Sequence, residues 1–325
     1  TILRDGTEDC LADGSCYNFT ALNATDVKFN VSYWSNYSVG EEPDTIPPLI
    51  EFVNDTLLND SNTTDTFVEI NVSIVEENLD SVVYNWNGTN YTMYNDSLVL
   101  MMNFDNRSEL GENDTYVVDV SGQGNNGSVK NDAIMNLSGG RYGGAFEFDG
   151  VDDYINIDYN PNLNITTQIT LSAWIFSESV ADHSTIKKVI DKENAYGLQY
   201  DSGGSAYQAT IFIYNTTGMF GCDSPPYELP SDRWVHFLGV FNGTNLITYS
   251  DGKEIKNCYI GQSNIRINDN NISIGANSIG SFGFNGSIDE VRIWNRSLSA
   301  DEVYQQYVSN LQKFNSSQWY LYVNQ

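Results

Sequence analysis

The chain has 325 residues and carries 43 Asp and Glu against 15 Lys and Arg, for a formal net charge of −28 at pH 7. A surface this acidic repels nucleic-acid phosphates, which argues against DNA or RNA as partners, and it offers carboxylates to hard cations. No run of roughly 18 or more apolar residues is present, so no segment reads as a membrane span, and the length admits about two domains.

Residues 1–45 read as an N-terminal strand segment rather than a complete domain. Thr1 is preceded by neither an initiator Met nor a signal peptide, so processing or truncation upstream is expected. Cys10 and Cys16 flank a short turn centred on Asp13-Gly14 that would close a small hairpin. The stretch 26–34 alternates, with Val27, Phe29, Val31 and Tyr33 on one strand face. One strand and one hairpin bury no core alone, and Pro47-Pro48 ends the segment because proline cannot enter a central strand.

Residues 46–96 read as a small β-sandwich. Val68, Ile70, Val72 and Ile74 alternate inward, and VVYNW and TNYTMY are joined by Asn87-Gly88, a type I′ hairpin signal. The motif NLDSVVYNWNGTNYTMY resembles the immunoglobulin-like modules of archaeal and bacterial surface proteins, although fifty residues are few for seven strands.

Residues 97–312 form the largest unit. A glycine-rich turn, DVSGQGNNGS, begins at Asp119. Gly143-Gly144, the alternating AFEF run, the Asp149-Gly150 turn and a second alternating run, YINI, follow it. The order DxSGxGNxG and then GGAFxFDGxDDYI resembles the laminin-G-like family of concanavalin A-type jelly rolls in its microbial form. The strand ITLSAWIF around Trp174, the strand DRWVHFLGVF around Trp234, the Asp251-Gly252 hairpin and the closing SFGFNGSIDEVRIWNRSLSADEVYQQY extend that likeness. It implies an all-β fold, a concanavalin A-like jelly-roll sandwich beside the small immunoglobulin-like one. Ser299 and Glu302 make a capping box for a short helix through Tyr307. His236 reads as a packing residue, and His183 lies in a polar loop without a partner.

Two groups of residues invite chemistry. Glu147 and Asp149 share a strand face, as glycosidase carboxylates about 5–9 Å apart require, but they end a strand at an Asp-Gly turn. Catalysis is therefore not expected. The family resemblance also implies a calcium site, with Asp119 and Asp289 as ligands, Gly124 and Asn126 offering carbonyls, and Asp105 a further carboxylate. The competing reading is that Asp119 and Asp289 only accept hydrogen bonds from nearby N–H groups.

Four cysteines allow three pairings, and Cys10–Cys16 with Cys222–Cys258 best fits locality. About 22 Asn-x-Ser/Thr sequons, among them Asn18, Asn36, Asn62, Asn90, Asn126, Asn164, Asn242, Asn285 and Asn315, favour an extracellular or cell-surface protein bearing N-linked glycans. Residues 313–325 form a C-terminal strand with Trp319, Leu321 and Val323 on one face and no evident partner. Together with the 26–34 strand it suggests head-to-tail strand complementation between copies, as in a filament or adhesin. The alternatives are a calcium-dependent carbohydrate-binding lectin, with Tyr207, Tyr214, Phe220 and Tyr227 as stacking residues, and a glycoside hydrolase.

Overall fold

The computed structural model describes residues 47–53, 56, 68–178, 186–202, 207–225, 230 and 233–324, together with the backbone of five short strands before residue 47. The chain divides into two compact units, Thr1–Pro47 and Pro48–Gln325. In the first, Ile2–Arg4 pairs with Glu8–Asp9 and Tyr37–Val39, and Phe29–Val31 pairs with Cys16–Asn18. Within the expected strand at 26–34, the described residues Phe29–Val31 are strand and have a partner within their own unit. The orientations expected of Val27, Phe29, Val31 and Tyr33, and the Cys10–Cys16 link, lie outside the described residues.

The second unit is built on two eight-stranded antiparallel sheets. One runs Ile134–Asn136, Ala145–Asp149, Asn285–Trp294, Ile169–Ser177, Val235–Phe241, Asn245–Ser250, Lys253–Tyr259, with Leu98–Met102 also on Asn285–Trp294. The other runs Tyr116–Val117, Gly127–Lys130, Tyr154–Ile157, Ile272–Ile274, Lys187–Lys192, Tyr196–Ser202, Tyr207–Tyr214, Met219–Asp223. Strand alternation sends Phe146, Phe148, Ile155 and Ile157 into a shared interior with Ile175, Leu198 and Phe237. The turns follow their residues. Asn87-Gly88 and Asp251-Gly252 adopt positive φ at both positions, as a type I′ hairpin needs.

A third, four-stranded sheet runs Ser309–Lys313, Gln318–Asn324, Glu69–Val75, Leu49–Phe52, beside a two-stranded hairpin, Val82–Trp86 and Thr89–Tyr94. These elements do not close a core of their own. Val72, Ile74, Trp319, Leu321 and Val323 pack in one apolar cluster with Leu238, Val240 and Trp294 of the first large sheet. The cluster also holds Val303 of the helix Ala300–Val308, whose N-terminus carries the expected Ser299–Glu302 capping box.

Two expectations are corrected here. The expected boundaries at 96/97 and 312/313 do not separate compact units: Pro48–Gln325 forms one unit, and Val72, Ile74, Trp319, Leu321 and Val323 share an apolar cluster with the jelly roll, which keeps its own inter-sheet core besides. The free-donor reading of 313–325 also fails. Gln318–Asn324 is an inner strand, paired on one side with Ser309–Lys313 and on the other with Glu69–Val75 from Gln318↔Val75 to Asn324↔Glu69. Trp319, Leu321 and Val323 are buried in their own chain, so they are not available to a neighbouring copy.

Candidate functional site

Asp119 sits at the mouth of the glycine-rich turn and its carboxylate is fully engaged there. Oδ1 accepts the N–H groups of Met101 at 2.9 Å and Ser121 at 3.0 Å, and Oδ2 accepts that of Asn125 at 2.9 Å. The glycines permit this fold-back, with Gly122 and Gly124 at φ +84° and +75°. Asn126 Oδ1 accepts the Asp119 N–H at 2.8 Å, and the Tyr94 hydroxyl donates to Ser121 O at 2.8 Å. Burial holds the Asp119 carboxyl above the usual carboxylate range.

Asp289 does the same work at a second loop. Its strand, Asn285–Trp294, exchanges one neighbour for another near this point, from Ala145–Asp149 to Leu98–Met102. The facing Ile169–Ser177 strand slips register between Ser172 and Trp174, and Glu290 takes φ +51°, the signature of a bulge. Asp289 Oδ2 accepts the N–H groups of Arg141 at 2.8 Å and Tyr142 at 3.1 Å, and Oδ1 that of Glu290 at 2.7 Å. Asp105 Oδ1 accepts the Gly144 N–H at 3.1 Å, and a Cβ on Gly143 would stand 2.0 Å from that oxygen.

The bulge turns Glu290 into a buried polar network that motif reading missed. Arg292 Nη2 donates to Glu290 Oε2 at 3.0 Å and also to Asn310 Oδ1, while Nη1 reaches Gln306 at 3.0 Å. Asn103 and Asn310 donate to the two Glu290 oxygens at 2.6 and 2.7 Å. Burial outweighs Arg292 and lifts the Glu290 carboxyl to about 7. Burial, with the charges of Glu290 and Asp105, raises Asp289 well above its ordinary range.

The expected calcium set is therefore not assembled. Asp105, Asp119 and Asp289 form no group with ligand atoms within 4.8 Å of one another among the described residues. Both oxygens of Asp119 and of Asp289 face N–H donors, whose positive ends would meet a cation unfavourably, so these residues do not fit the ion. Asp149, Asp152 and Asp153 do cluster, but Asp153 accepts the Asp132 and Asp149 N–H groups at 2.9 and 3.0 Å, and Asp149 that of Val151 at 2.7 Å. These are turn-closing bonds.

Glu147 and Asp149 lie on the face away from the inter-sheet core. Glu147 Oε1 accepts Asn136 Nδ2 at 2.6 Å, whereas Asp149 is committed to its turn. His236 is a packing residue. Its Nε2 lies 2.8 Å from Ser172 Oγ, its ring packs at a tilt against Trp174 and Tyr307, and burial lowers it to about 3.

An open polar depression of about 270 Å³ lies on the outer face of the second large sheet. Register aligns Tyr116, Ser128 and Asn156 across three neighbouring strands, while Ile155 and Ile157 point inward. The run INIDYN then adds Asp158 and Tyr159. Tyr116 and Tyr159 are each 38% exposed. Asn156 Nδ2 donates to Asp158 Oδ1 at 2.8 Å, and Asn271 Nδ2 donates to Asn156 Oδ1 at 3.0 Å, which fixes both amides. Asn164 Nδ2 reaches the Tyr159 hydroxyl at 3.3 Å, and the Lys192 ammonium stands 5.4 Å from the Tyr159 ring centroid. Alternation past Tyr154 was the sequence signal for this row.

Cys222 and Cys258 are joined, with Cα atoms 5.6 Å apart, and link the terminal strand of one large sheet to that of the other. Of the expected stacking residues, Tyr214 packs edge-on to Phe212 and under Arg266, and Phe220 packs against the inter-sheet core. The Tyr207 side chain and Tyr227 lie outside the described residues. Asn242 and Asn315 are turn residues whose Oδ1 atoms accept nearby N–H groups, and Asn90 is exposed, accepting from Asn85. Asn285 is half-buried, and Asn18, Asn36 and Asn62 lie outside the described side chains.

Residues 149–304 match the sequence family described as the concanavalin A-like lectin/glucanases superfamily. The fold is a concanavalin A-like jelly roll. The binding domain of Paraclostridial Mosquitocidal Protein 1 superposes with a TM-score of 0.52 at 16% identity, over 68% of this chain and 55% of that one. The botulinum neurotoxin serotype G binding domain gives 0.50 at 15% identity, over 68% and 54%. Domain 4 of AbnA, a GH43 extracellular arabinanase from Geobacillus stearothermophilus seen with arabinotriose, gives 0.49 at 19% identity, over 64% and 97%. The chain spans just over half the length of the two toxin binding domains, and at these identities the likeness carries the fold alone. Comparison with curated proteins gave no match.

Proposed function

We propose that this chain is a non-catalytic binding module of a secreted or surface protein, and that its jelly roll takes carbohydrate in the depression around Tyr116 and Tyr159. The arrangement of that depression carries the reading. Two tyrosines, each 38% exposed, supply aromatic surface for a sugar ring, and Asn156 and Asp158 offer planar polar groups held by each other and by Asn271. Pre-fixed groups lose little freedom on binding, which is what a shallow sugar site needs. The jelly-roll fold, the Cys222–Cys258 disulfide and the abundance of sequons are in keeping with an extracellular setting. Nothing in this site calls on calcium, and the glycosidase reading loses support because Asp149 closes its own turn.

The test is a glycan array followed by calorimetry on any hit, using protein made without glycosylation. A bound glycan should be weakened about threefold to tenfold by Tyr159→Ala and by Asn156→Ala. Chelation should leave it unchanged. An array with no hit, or binding indifferent to both substitutions, overturns the reading. Asn126 borders the same depression, so a glycan attached there would compete with an external sugar. In a glycosylating host, Asn126→Gln should restore binding.

A further inference from the structure

The four-stranded sheet ends, among the described residues, at the edge strand Leu49–Phe52. Among the described residues, Leu49–Phe52 pairs with Glu69–Val75 alone, through Leu49↔Val75, Ile50↔Ile74, Glu51↔Ser73 and Phe52↔Val72. No described strand pairs with its outer side. Leu49 is 55% exposed, Ile50 60% and Phe52 74%, high values for apolar residues on a sheet edge. Such an edge offers unpaired N–H and C=O groups together with apolar surface.

Behind this edge lies an apolar groove of about 410 Å³. Ile50, Phe52, Val72 and Leu321 line its sheet side, and Tyr84 and Trp86 of the hairpin line the other. Four strands thus face two across a cleft that opens beside the edge strand. A further strand laid along Leu49–Phe52 would set every second side chain into the cleft, because successive residues point to opposite faces.

Charge narrows the occupant. Residues 47–96 contain nine Asp and Glu and no Lys, Arg or His. Glu51 stands on the edge strand itself, and Glu76, Glu77 and Asp80 flank Leu79, which lines the groove. A second copy of this chain would bring the same acidic edge and another net charge of −28 against it. Cationic side chains on the solvent face of an added strand would meet these carboxylates at the rim.

We infer that the groove between the Leu49–Phe52 edge and the Val82–Trp86 hairpin is a docking surface for an extended segment of another protein, apolar on one face and cationic on the other, that adds as a fifth strand. The added strand takes its affinity from main-chain hydrogen bonds and its specificity from side chains seated in the groove. The site is separate from the proposed sugar depression and does not depend on it.

The experiment titrates the full chain with three synthetic peptides: one alternating Lys and Val, one alternating Glu and Val, and one alternating Lys and Ser. Calorimetry reads binding, and hydrogen exchange reads the Leu49–Phe52 amides. The Lys-Val peptide should bind saturably, slow exchange at that strand and weaken as salt rises. Neither control peptide should protect those amides. Phe52→Asp, at a position exposed enough to leave the fold intact by melting temperature, should weaken the Lys-Val peptide about tenfold or more. Phe52→Leu should restore it. The inference is overturned by absent binding, by equal binding of the Glu-Val or Lys-Ser peptide, by indifference to Phe52→Asp, or by a dimer of this chain that Phe52→Asp dissociates.

Discussion

At the scale of single residues, the acidic side chains that look most like ligands are fasteners. Asp119 holds three backbone N–H groups and Asp289 holds three more, so each closes a loop that glycine alone would leave loose. Asp119→Asn should lower stability by about 1–3 kcal/mol, since buried N–H donors would lose a charged acceptor. The melting temperature should be the same with calcium and with EDTA. A rise with calcium that Asp119→Asn or Asp289→Asn abolishes would return these residues to a metal. The spacing of the two aspartates was legible in the sequence, but the direction of their carboxylates was not. A carboxylate beside glycines reads the same whether it faces a cation or N–H groups.

Glu290 gives a second prediction at this scale. Its carboxyl is pushed up to about 7 from an ordinary 4.5, and those of Asp289 and Asp105 are also raised by burial. An acid raised in the folded state keeps its proton where the unfolded chain has released it. The associated stability is full below about pH 4.5 and is lost as pH climbs through 7. Melting temperature should therefore rise on acidification from pH 7.5 to 5, and Glu290→Gln should flatten that slope. A melting temperature that falls over this interval would show that Glu290 is charged in the native state.

At the scale of elements, alternation was read correctly and partnership was not. Trp319, Leu321 and Val323 do lie on one face, as do Val72 and Ile74. Their pairing joins the two ends of the second unit, and a contact so distant in sequence leaves no local pattern to read. The same blindness hid the apolar cluster that joins the small sheet to the jelly roll. Trp319→Ala should cost about 3–5 kcal/mol, the usual range for emptying a large aromatic from a core. Deleting 314–325 should uncover the outer face of the first large sheet and lower the melting temperature of the jelly roll itself. An unchanged jelly-roll transition after that deletion would show two independent cores.

At the scale of the whole molecule, the joining of the two large sheets decides behaviour. The Cys222–Cys258 bond closes a sequence separation of 36 between the last strand of each sheet. Its loss should lower stability by about 3–4 kcal/mol on the loop-entropy account, measured by denaturant titration of Cys222→Ala/Cys258→Ala. That bond has a mechanical consequence as well. Pulling on the chain, as it would be loaded were it displayed on a cell surface as proposed, leaves the strands between its cysteines shielded from tension by a covalent clasp. Stretched from its ends, the oxidised chain would yield a shorter trace than the reduced one. The hidden contour, at about 3.3–3.6 Å per residue, comes to roughly 120–130 Å. A reducing environment would thus act as a length switch, releasing slack from a module that under oxidising conditions gives way only outside its clasp.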